Sequence, residues 1–273
     1  MKETLQNYKY EKIMARIDEH FDEATLFFNK KRIVGLFLQG SQNYNLETPS
    51  SDVDSKLVVT PTFKEIAFNQ KPVSTTHIRE NEEHIDFKDI RLMIGTFKKQ
   101  NLNFLEILFT PYFIINPMFE DEWNKLVSAR EQIARYNQYQ AIRSMEGIAQ
   151  QKYHALKHPY PSKMTVLEHF GYDPKQLHHL LRIEDYLERY INGEKYASCL
   201  IPNNPEYLKE VKRGLYDLKT AEQEARRAKT HIENMVLSID RNIFDTNDSK
   251  IDELFNEVQY NIMKIAIKEE LGV

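Results

Sequence analysis

Cysteine is nearly absent from this chain, which contains a single one, Cys199, among 273 residues. A lone thiol excludes an internal disulfide framework and is typical of proteins from a reducing compartment. Long apolar runs are also absent, because no segment approaches the length of a membrane span and the opening residues lack the apolar core of a signal peptide. We therefore expect a cytoplasmic protein with no membrane partner.

A strong excess of charge is missing as well. The formal net charge is -4 and 41% of the residues are hydrophobic, which is ordinary for a folded protein. This balance argues against indiscriminate binding of nucleic acid. Basic residues are nevertheless concentrated between residues 143 and 182, where six Lys and Arg occur with three Asp and Glu. The local excess leaves RNA or a nucleotide-bearing acceptor open as a partner.

The pattern with the most chemical information is a Gly-Ser turn followed closely by two acids. Gly40 and Ser41 come directly after an apolar run that starts at Ile33. A second, β-branched run extends from Val53 to Val59, with Asp52 directly before it and Asp54 within it. The two runs predict buried strands. Alternation along the second strand would place Asp52 and Asp54 on one face.

Two acids on one face repel each other unless a cation compensates them or water surrounds them. Mg²⁺ suits such oxygen ligands, because it binds one or two protein carboxylates and completes its octahedron with water and substrate phosphates. Glycine lets the backbone approach a triphosphate closely, and the Ser41 hydroxyl and nearby N–H groups can bind its oxygens. The combined pattern favours a metal-dependent phosphoryl-transfer site over the alternative, a surface hairpin with an Asp-x-Asp edge.

Gly-Ser, a short gap and Asp-x-Asp between hydrophobic strands resemble the signature of the DNA polymerase β-like nucleotidyltransferase superfamily. The stretch from Gly40 to Asp54 is most similar to its poorly characterised bacterial and phage branch of predicted nucleotidyltransferases. The resemblance implies a nucleotidyltransferase core and a third carboxylate on a later strand.

Asp86 is the candidate for that third carboxylate. Alternation places it on one face of a strand and Ile85 and Phe87 on the opposite, apolar face. Asp89 falls on the apolar side directly before a helix-like segment, where we expect it to act as a helix N-cap.

The resemblance continues around Glu106, although Gln100 and Leu102 replace the glycine and proline that are typical of this branch. A carboxylate in so apolar a segment needs a partner. We predict that a basic side chain provides it and so joins two elements, in preference to a catalytic role.

A further cluster follows Asp173-Pro174, which marks the start of a helix. Lys175, His179 and Arg182 fall at i, i+4 and i+7 on one stripe of this helix. Such a stripe can contact nucleotide phosphates or an anionic acceptor, and the alternative is a solvated helix face. The similarity of this segment to the family branch favours the first interpretation.

The hydrophobic period changes along the chain and predicts its organisation. Short apolar runs alternate with helix-like segments up to about residue 115, and from about residue 120 the pattern is almost wholly helical. We predict an α+β fold with a small mixed β-sheet core, flanking helices and a mostly α-helical C-terminal region. The resemblance implies a catalytic domain at residues 1–118, followed by a helical domain for substrate and acceptor at residues 119–273.

The resemblance implies a metal-dependent nucleotidyltransferase, which moves a nucleoside monophosphate from a triphosphate such as ATP to an acceptor hydroxyl and releases pyrophosphate. Asp52 and Asp54 would hold two Mg²⁺ ions with the triphosphate, with Mn²⁺ as the alternative, and Asp86 would bind the ion that activates the acceptor hydroxyl and could serve as its base. The residues implied to bind the nucleotide are Gly40, Ser41, Lys175, His179 and Arg182.

The acceptor stays open between an RNA 3′ end, a protein hydroxyl and a small molecule. Two other functions also stay open. One is a non-catalytic nucleotide-binding module of a regulatory or toxin-antitoxin-like kind, and the other is an RNA-binding accessory protein.

Overall fold

The computed structural model describes residues 2–48 and 51–273, with side chains described from residue 7 onward. Met1 lies outside the described residues, as do Pro49 and Ser50 of the segment between the Gly-Ser turn and Asp52. The chain has an α+β fold, in which a five-stranded mixed sheet is flanked by helices and followed by a mostly helical C-terminal region. The predicted fold class is confirmed.

The sheet brings polar side chains from three strands onto one face. Its strands are β1 (Ile33–Gln39), β2 (Asp54–Val59), β3 (Ser74–Ile78), β4 (His84–Asp89) and β5 (Phe113–Ile115). Their order is β3-β4-β2-β1-β5, with β2 antiparallel to β1 and parallel to β4. Gln39 is opposite Asp54 and Lys56 is opposite Asp86 in this register.

Helices cover the sheet and form most of the second half of the chain. In the first half they are α1 (Lys2–Ala24), α2 (Phe63–Ala67), α3 (Ile90–Lys98) and α4 (Leu102–Leu105). In the second half they are α5 (Glu120–Ser128), α6 (Arg130–Ile133), α7 (Gln138–Ala155), α8 (Met164–Phe170), α9 (Pro174–Ile191), α10 (Tyr196–Leu200), α11 (Pro205–Lys212), α12 (Leu218–Leu237), α13 (Arg241–Phe244) and α14 (Ser249–Leu271). Within the described parts of the chain, no helix is both long and apolar enough to cross a membrane.

Local sequence explains how several elements begin. Burial in β4 alternates as predicted, with Asp86 half-buried and Asp89 buried. Asp89 accepts the N–H of Arg91 at 2.8 Å and caps α3, which confirms its predicted role. Asp173 likewise accepts the N–H of Lys175 at 2.9 Å at the start of α9.

Two apolar clusters pack on the two faces of the sheet. The smaller one packs Ile17 of α1 with Leu36 and Ile85. The larger one includes Phe37 of β1 and continues through the helical half to Phe255 of α14. The two predicted domains therefore share a continuous core, and their separation at residue 118 stays a prediction.

The last helix, α14, contacts elements of both halves of the chain. α14 packs against α5 and α3. Its Asp252 accepts hydrogen bonds from Lys98 at 2.7 Å and from the Tyr136 hydroxyl at 2.9 Å. Near the other end, Glu270 accepts the N–H of Phe63 at the start of α2 at 2.8 Å. These contacts connect the last helix to α2 and α3 of the first half and to Tyr136 of the second.

Candidate active site

A cavity of about 380 Å³ lies between the polar face of the sheet and helices α7 and α9. Its polar and charged lining residues are Gln39, Ser41, Tyr44, Asp54, Lys56, Asp86, Asn103, Glu106, Lys152, His178, His179 and Arg182. The carboxylates of Asp54 and Asp86 come from the sheet, whereas most of the basic groups come from the helices. Such a division of charge suits a substrate that carries phosphates and a cation.

The Gly-Ser turn forms one wall of this cavity. Gly40 has a φ of +92°, which is in the region that favours glycine, and the chain then enters a 3₁₀ turn at Ser41–Tyr44. Both Gly40 and Ser41 line the cavity. The N–H of Gly40 donates to the carboxyl of Glu106, so this amide is engaged within the protein. Binding of phosphate oxygens by Gly40 and Ser41 stays a prediction.

Glu106 is buried below the turn and contacts the side chain of Asn43 as well as the Gly40 amide. Burial raises the pKa of Glu106 to about 8, although the positive charge of Arg182 opposes the rise. Within the described part of the chain, no ion pair joins Glu106 to Arg182. The predicted basic partner therefore acts from a distance, and the direct contacts of Glu106 brace the turn.

Asp54 is the first residue of β2 and reaches the cavity. One of its oxygens accepts the N–H of His84 at 2.9 Å. Burial raises the pKa of the Asp54 carboxyl, the His84 N–H lowers it, and the negative charge of Asp52 adds to the rise. A half-buried carboxylate that also feels the charge of a second acid is an environment that a bound cation would relieve.

Asp52 is exposed and precedes the strand. The predicted start of β2 at Val53 is corrected by one residue, because the strand begins at Asp54. The N–H of Val53 donates to the Glu83 carboxylate at 3.2 Å. Strand alternation therefore does not orient Asp52 beside Asp54. Asp52 still influences the pKa values of Asp54 and of Lys212 through its charge.

Asp86 lies on the cavity face of β4, where alternation predicts it. One oxygen accepts from Lys56 at 3.1 Å and from Gln39 at 3.2 Å, and the other accepts the Thr76 hydroxyl at 2.6 Å. Burial tends to raise the pKa of Asp86, but the charge of Lys56 and these hydrogen bonds outweigh it and lower the pKa. Asp86 is therefore an ionised carboxylate that is already paired with a lysine.

Sequence reasoning missed Lys56, the buried partner of Asp86. Its side chain is only 3% exposed, and its ammonium group lies 4.2 Å from the centroid of the Phe104 ring. Burial lowers the pKa of Lys56, whereas the charge of Asp86 raises it. Its spacing offered a signal, because a residue two positions after Asp54 shares the same face of β2.

Two of the three basic residues predicted on α9, His179 and Arg182, line the cavity. Lys175 is exposed in the first turn of the helix, and its charge lowers the pKa values of Lys152 and Lys212. Burial and the neighbouring positive charges hold the pKa of His179 well below its usual value, so its ring is neutral at pH 7.

Arg182 has the most unusual environment in the cavity. It is 7% exposed, and its guanidinium carbon lies 3.5 Å from the centroid of the Tyr44 ring. Its Nε and Nη2 atoms are buried and have no hydrogen-bond partner among the described residues. Unsatisfied buried donors are costly, and a guanidinium group matches phosphate oxygens in geometry and charge. Arg182 is thus prepared to bind an anion.

The structure adds His178 and Lys152 to the helical wall. Nδ1 of His178 donates to the carbonyl of Leu208 at 2.8 Å, and burial lowers the pKa of this imidazole to about 4. The His178-His179 doublet was visible in the sequence. Lys152 carried no such signal, because its position depends on how α7 packs against α9.

A buried network on the other side of the sheet fixes the start of β2. The ring nitrogens of His20 lie 2.8 Å from the Ser55 hydroxyl and 2.9 Å from the Glu83 carboxylate. Two arginines also bind Glu83, Arg16 at 2.6 Å and Arg79 at 3.0 Å. His20 and Ser55 are both 0% exposed, so no substrate can reach them. The role of this network is to position the acidic segment.

The residues present fit a magnesium ion at one place. Among the described residues, no group of three or more Asp, Glu, His or Cys side chains forms a ready-made metal site. Asp54, with Asp52 near it, offers the oxygen ligands that Mg²⁺ prefers and leaves room for substrate phosphates. Asp86 does not fit in the same way, because both of its oxygens already accept hydrogen bonds from the protein.

No protein-family model matches the chain, and no curated protein matches it. Among solved structures, the chain is similar to a nucleotidyltransferase-like protein from Exiguobacterium sibiricum. The two are 13% identical with a TM-score of 0.30, over 80% of this chain and 75% of that one. A likeness at this level carries no argument about chemistry, which depends on the cavity itself.

Proposed function

We propose that the protein is a metal-dependent nucleotidyltransferase. It moves a nucleoside monophosphate from a nucleoside triphosphate to an acceptor hydroxyl and releases pyrophosphate. The observation that carries this proposal is one cavity with the Asp54 carboxylate on its sheet side and the buried Arg182 guanidinium on its helix side, whose Nε and Nη2 have no hydrogen-bond partner among the described residues. A triphosphate with its divalent cation needs both kinds of group.

The acids on the sheet side would bind the cation. Asp52 and Asp54 are the proposed ligands of Mg²⁺, or of Mn²⁺ in its place. When bound, the ion neutralises phosphate charge and aligns the attacking and leaving oxygens. The hydrogen bond from His84 to Asp54 keeps one carboxylate oxygen in a defined position.

The groups on the helix side would bind the phosphates. Arg182 provides two free donors, and Lys175 adds positive charge at the first turn of α9. His179 is neutral and can donate or accept one hydrogen bond. Ser41 would contribute its hydroxyl, and the turn that begins at Gly40 would allow the phosphates to approach the backbone.

In the proposed reaction, the acceptor oxygen forms a bond to the α-phosphorus. The bond from that phosphorus to the bridging oxygen breaks, and its electron pair leaves with pyrophosphate. Asp86 is the proposed acceptor of the hydroxyl proton, since its carboxylate shares the sheet face of Asp54. The helical half would supply the acceptor surface, for an RNA 3′ end, a protein hydroxyl or a small molecule.

A second candidate function is a nucleotide-binding module without turnover. The pairing of Asp86 with Lys56 favours it, because this carboxylate already has a protein cation and has little capacity left for a metal ion. A third candidate, an RNA-binding accessory protein, is favoured by the charges of Lys152, Lys175 and Lys212 near the cavity.

The test is incubation with each of the four α-³²P ribonucleoside triphosphates and Mg²⁺, with and without cellular RNA and protein. We expect label on an acceptor together with pyrophosphate. We also expect a loss of about 10³-fold or more in the isosteric Asp54→Asn variant, because it removes the charge that binds the ion. Binding without label or pyrophosphate would favour the non-catalytic module. Salt-sensitive RNA binding that survives Asp54→Asn would favour the accessory protein.

A further inference from the structure

A lysine is paired with Asp86 at the position that a bound metal ion would otherwise occupy. The parallel register of β2 and β4 places Lys56 opposite Asp86, and its Nζ donates to the carboxylate at 3.1 Å. The same ammonium group donates to the side-chain oxygen of Gln39 and packs 4.2 Å from the centroid of the Phe104 ring. The Asp86 carboxylate, the Gln39 amide and the Phe104 ring surround the ammonium group, so its contacts within the protein hold it in this position.

Asp86 in turn has little capacity left for a metal ion. The Lys56 ammonium and the Gln39 amide bind one of its oxygens, and the Thr76 hydroxyl binds the other. A divalent ion on Asp86 would have to displace these donors and lie beside a buried positive charge. Repulsion between the two cations opposes that arrangement.

Asp54 differs from Asp86 in this respect. Among the described residues, it contacts the backbone N–H of His84 at 2.9 Å and the His84 ring at 3.6 Å, and it interacts with the charge of Lys56 without forming an ion pair. No lysine or arginine forms an ion pair with it within the described part of the chain, and the charge of Asp52 is near. Of the two cavity carboxylates, Asp86 therefore has a lysine as its cation, whereas Asp54 can bind a metal ion.

We propose that the Lys56 ammonium is the fixed cation on the acceptor side of this site, so that the protein binds one divalent ion with its nucleotide instead of two. The ion would bind at Asp52 and Asp54, and Lys56 would take the place of a second ion at Asp86. This inference rests on the proposed function, because it concerns the same nucleotide site.

The number of bound ions tests this directly. Mn²⁺ is titrated into the protein in the presence of a triphosphate with a methylene group between its α- and β-phosphorus atoms, which cannot be transferred, and free Mn²⁺ is counted by electron paramagnetic resonance. We expect one ion per wild-type chain. Lys56→Met keeps the length of the side chain but removes its charge and frees Asp86, so we expect two ions.

Lys88 provides a matched control, because its Nζ also lies 4.2 Å from the centroid of the Phe104 ring but forms no ion pair with Asp86 within the described part of the chain. We expect Lys88→Met to bind one ion. Two ions in the wild type would overturn the inference and leave the proposed function standing, and this count decides even if Lys56→Met fails to fold. A folded Lys56→Met variant that still binds one ion would also overturn it. Failure of the wild type to bind the analogue would remove the proposed function and this inference together.

Discussion

Arg182 and Lys56 are both buried cations of the cavity, and their surroundings differ. Lys56 has a carboxylate, an amide and an aromatic ring as neighbours. Arg182 has an aromatic ring on one side, and two of its nitrogen atoms lack a partner among the described residues. Proteins seldom leave buried donors unsatisfied, and such groups often mark a place for a ligand. At the scale of single residues, Arg182 is therefore the group that points most clearly to an anion.

We predict that Arg182→Lys weakens triphosphate binding by about 10- to 100-fold, because lysine keeps the charge but loses the forked donors that match phosphate. Calorimetry with a non-transferable triphosphate analogue and Mg²⁺ measures the change. Arg143→Lys is the control, since the Arg143 side chain is 53% exposed and pairs with Glu146 on its own helix. Equal affinity of Arg182→Lys and wild type would contradict the phosphate-binding role.

Residues from α1 and from the turn between β3 and β4 hold the start of β2 in position. α1 contributes His20 and Arg16, and the turn between β3 and β4 contributes Glu83. Burial alone would raise the pKa of Glu83, but hydrogen bonds from Arg16, His20 and Asn81 outweigh it and lower the pKa to about 2. Glu83 also accepts the N–H that precedes Asp54. The position of the acidic segment therefore depends on the charge of Glu83.

This dependence predicts how stability changes with pH. Because the folded-state pKa of about 2 lies below the ordinary value of 4.5, ionised Glu83 stabilises the fold above about pH 4.5. The stabilisation is lost as the pH falls from 4.5 towards 2. Its size at neutral pH is up to about 3 kcal/mol, and Glu83→Gln should remove it.

Urea unfolding between pH 3 and pH 7 measures this difference. The difference in free energy of unfolding between wild type and Glu83→Gln should narrow as the pH falls. Glu80→Gln, at an exposed position in the same turn, should match the wild type throughout. A difference in free energy of unfolding that stays constant with pH would show that the charge of Glu83 does not stabilise the fold.

At the scale of the whole molecule, the sequence predicted what depends on neighbours along the chain. The burial alternation of β4 and the cap at Asp89 are local features, and both are confirmed. Lys56 and Asp86 meet only because β2 pairs with β4 in parallel across 30 positions, and no local pattern sets that register. His20 and Glu83 are 63 positions apart, so their network could not be inferred from spacing. The unexpected parts of the site all depend on packing between distant elements.

The continuous core predicts that the two halves unfold together. Phe255 of α14 is buried against Phe97 and Tyr136, with ring centroids 6.3 Å and 5.8 Å away. Phe255→Ala should lower the free energy of unfolding by about 3 to 5 kcal/mol and lower the midpoint of one common unfolding transition. Fluorescence of the single tryptophan, Trp123, and far-UV circular dichroism should report the same midpoint. Tyr260→Ala, at a 65% exposed position of the same helix, is the control. Separate transitions would contradict the shared core.

Transfer of a nucleoside monophosphate can be distinguished from other phosphoryl transfers by the location of two labels. The protein is incubated with Mg²⁺ and with cellular RNA and protein as the source of acceptor, in parallel reactions that contain α-³²P or γ-³²P triphosphate. We predict the α label on the acceptor and the γ label in pyrophosphate, with both signals lost in Asp54→Asn. The γ label on the acceptor, or transfer that is unchanged in Asp54→Asn, would contradict this prediction.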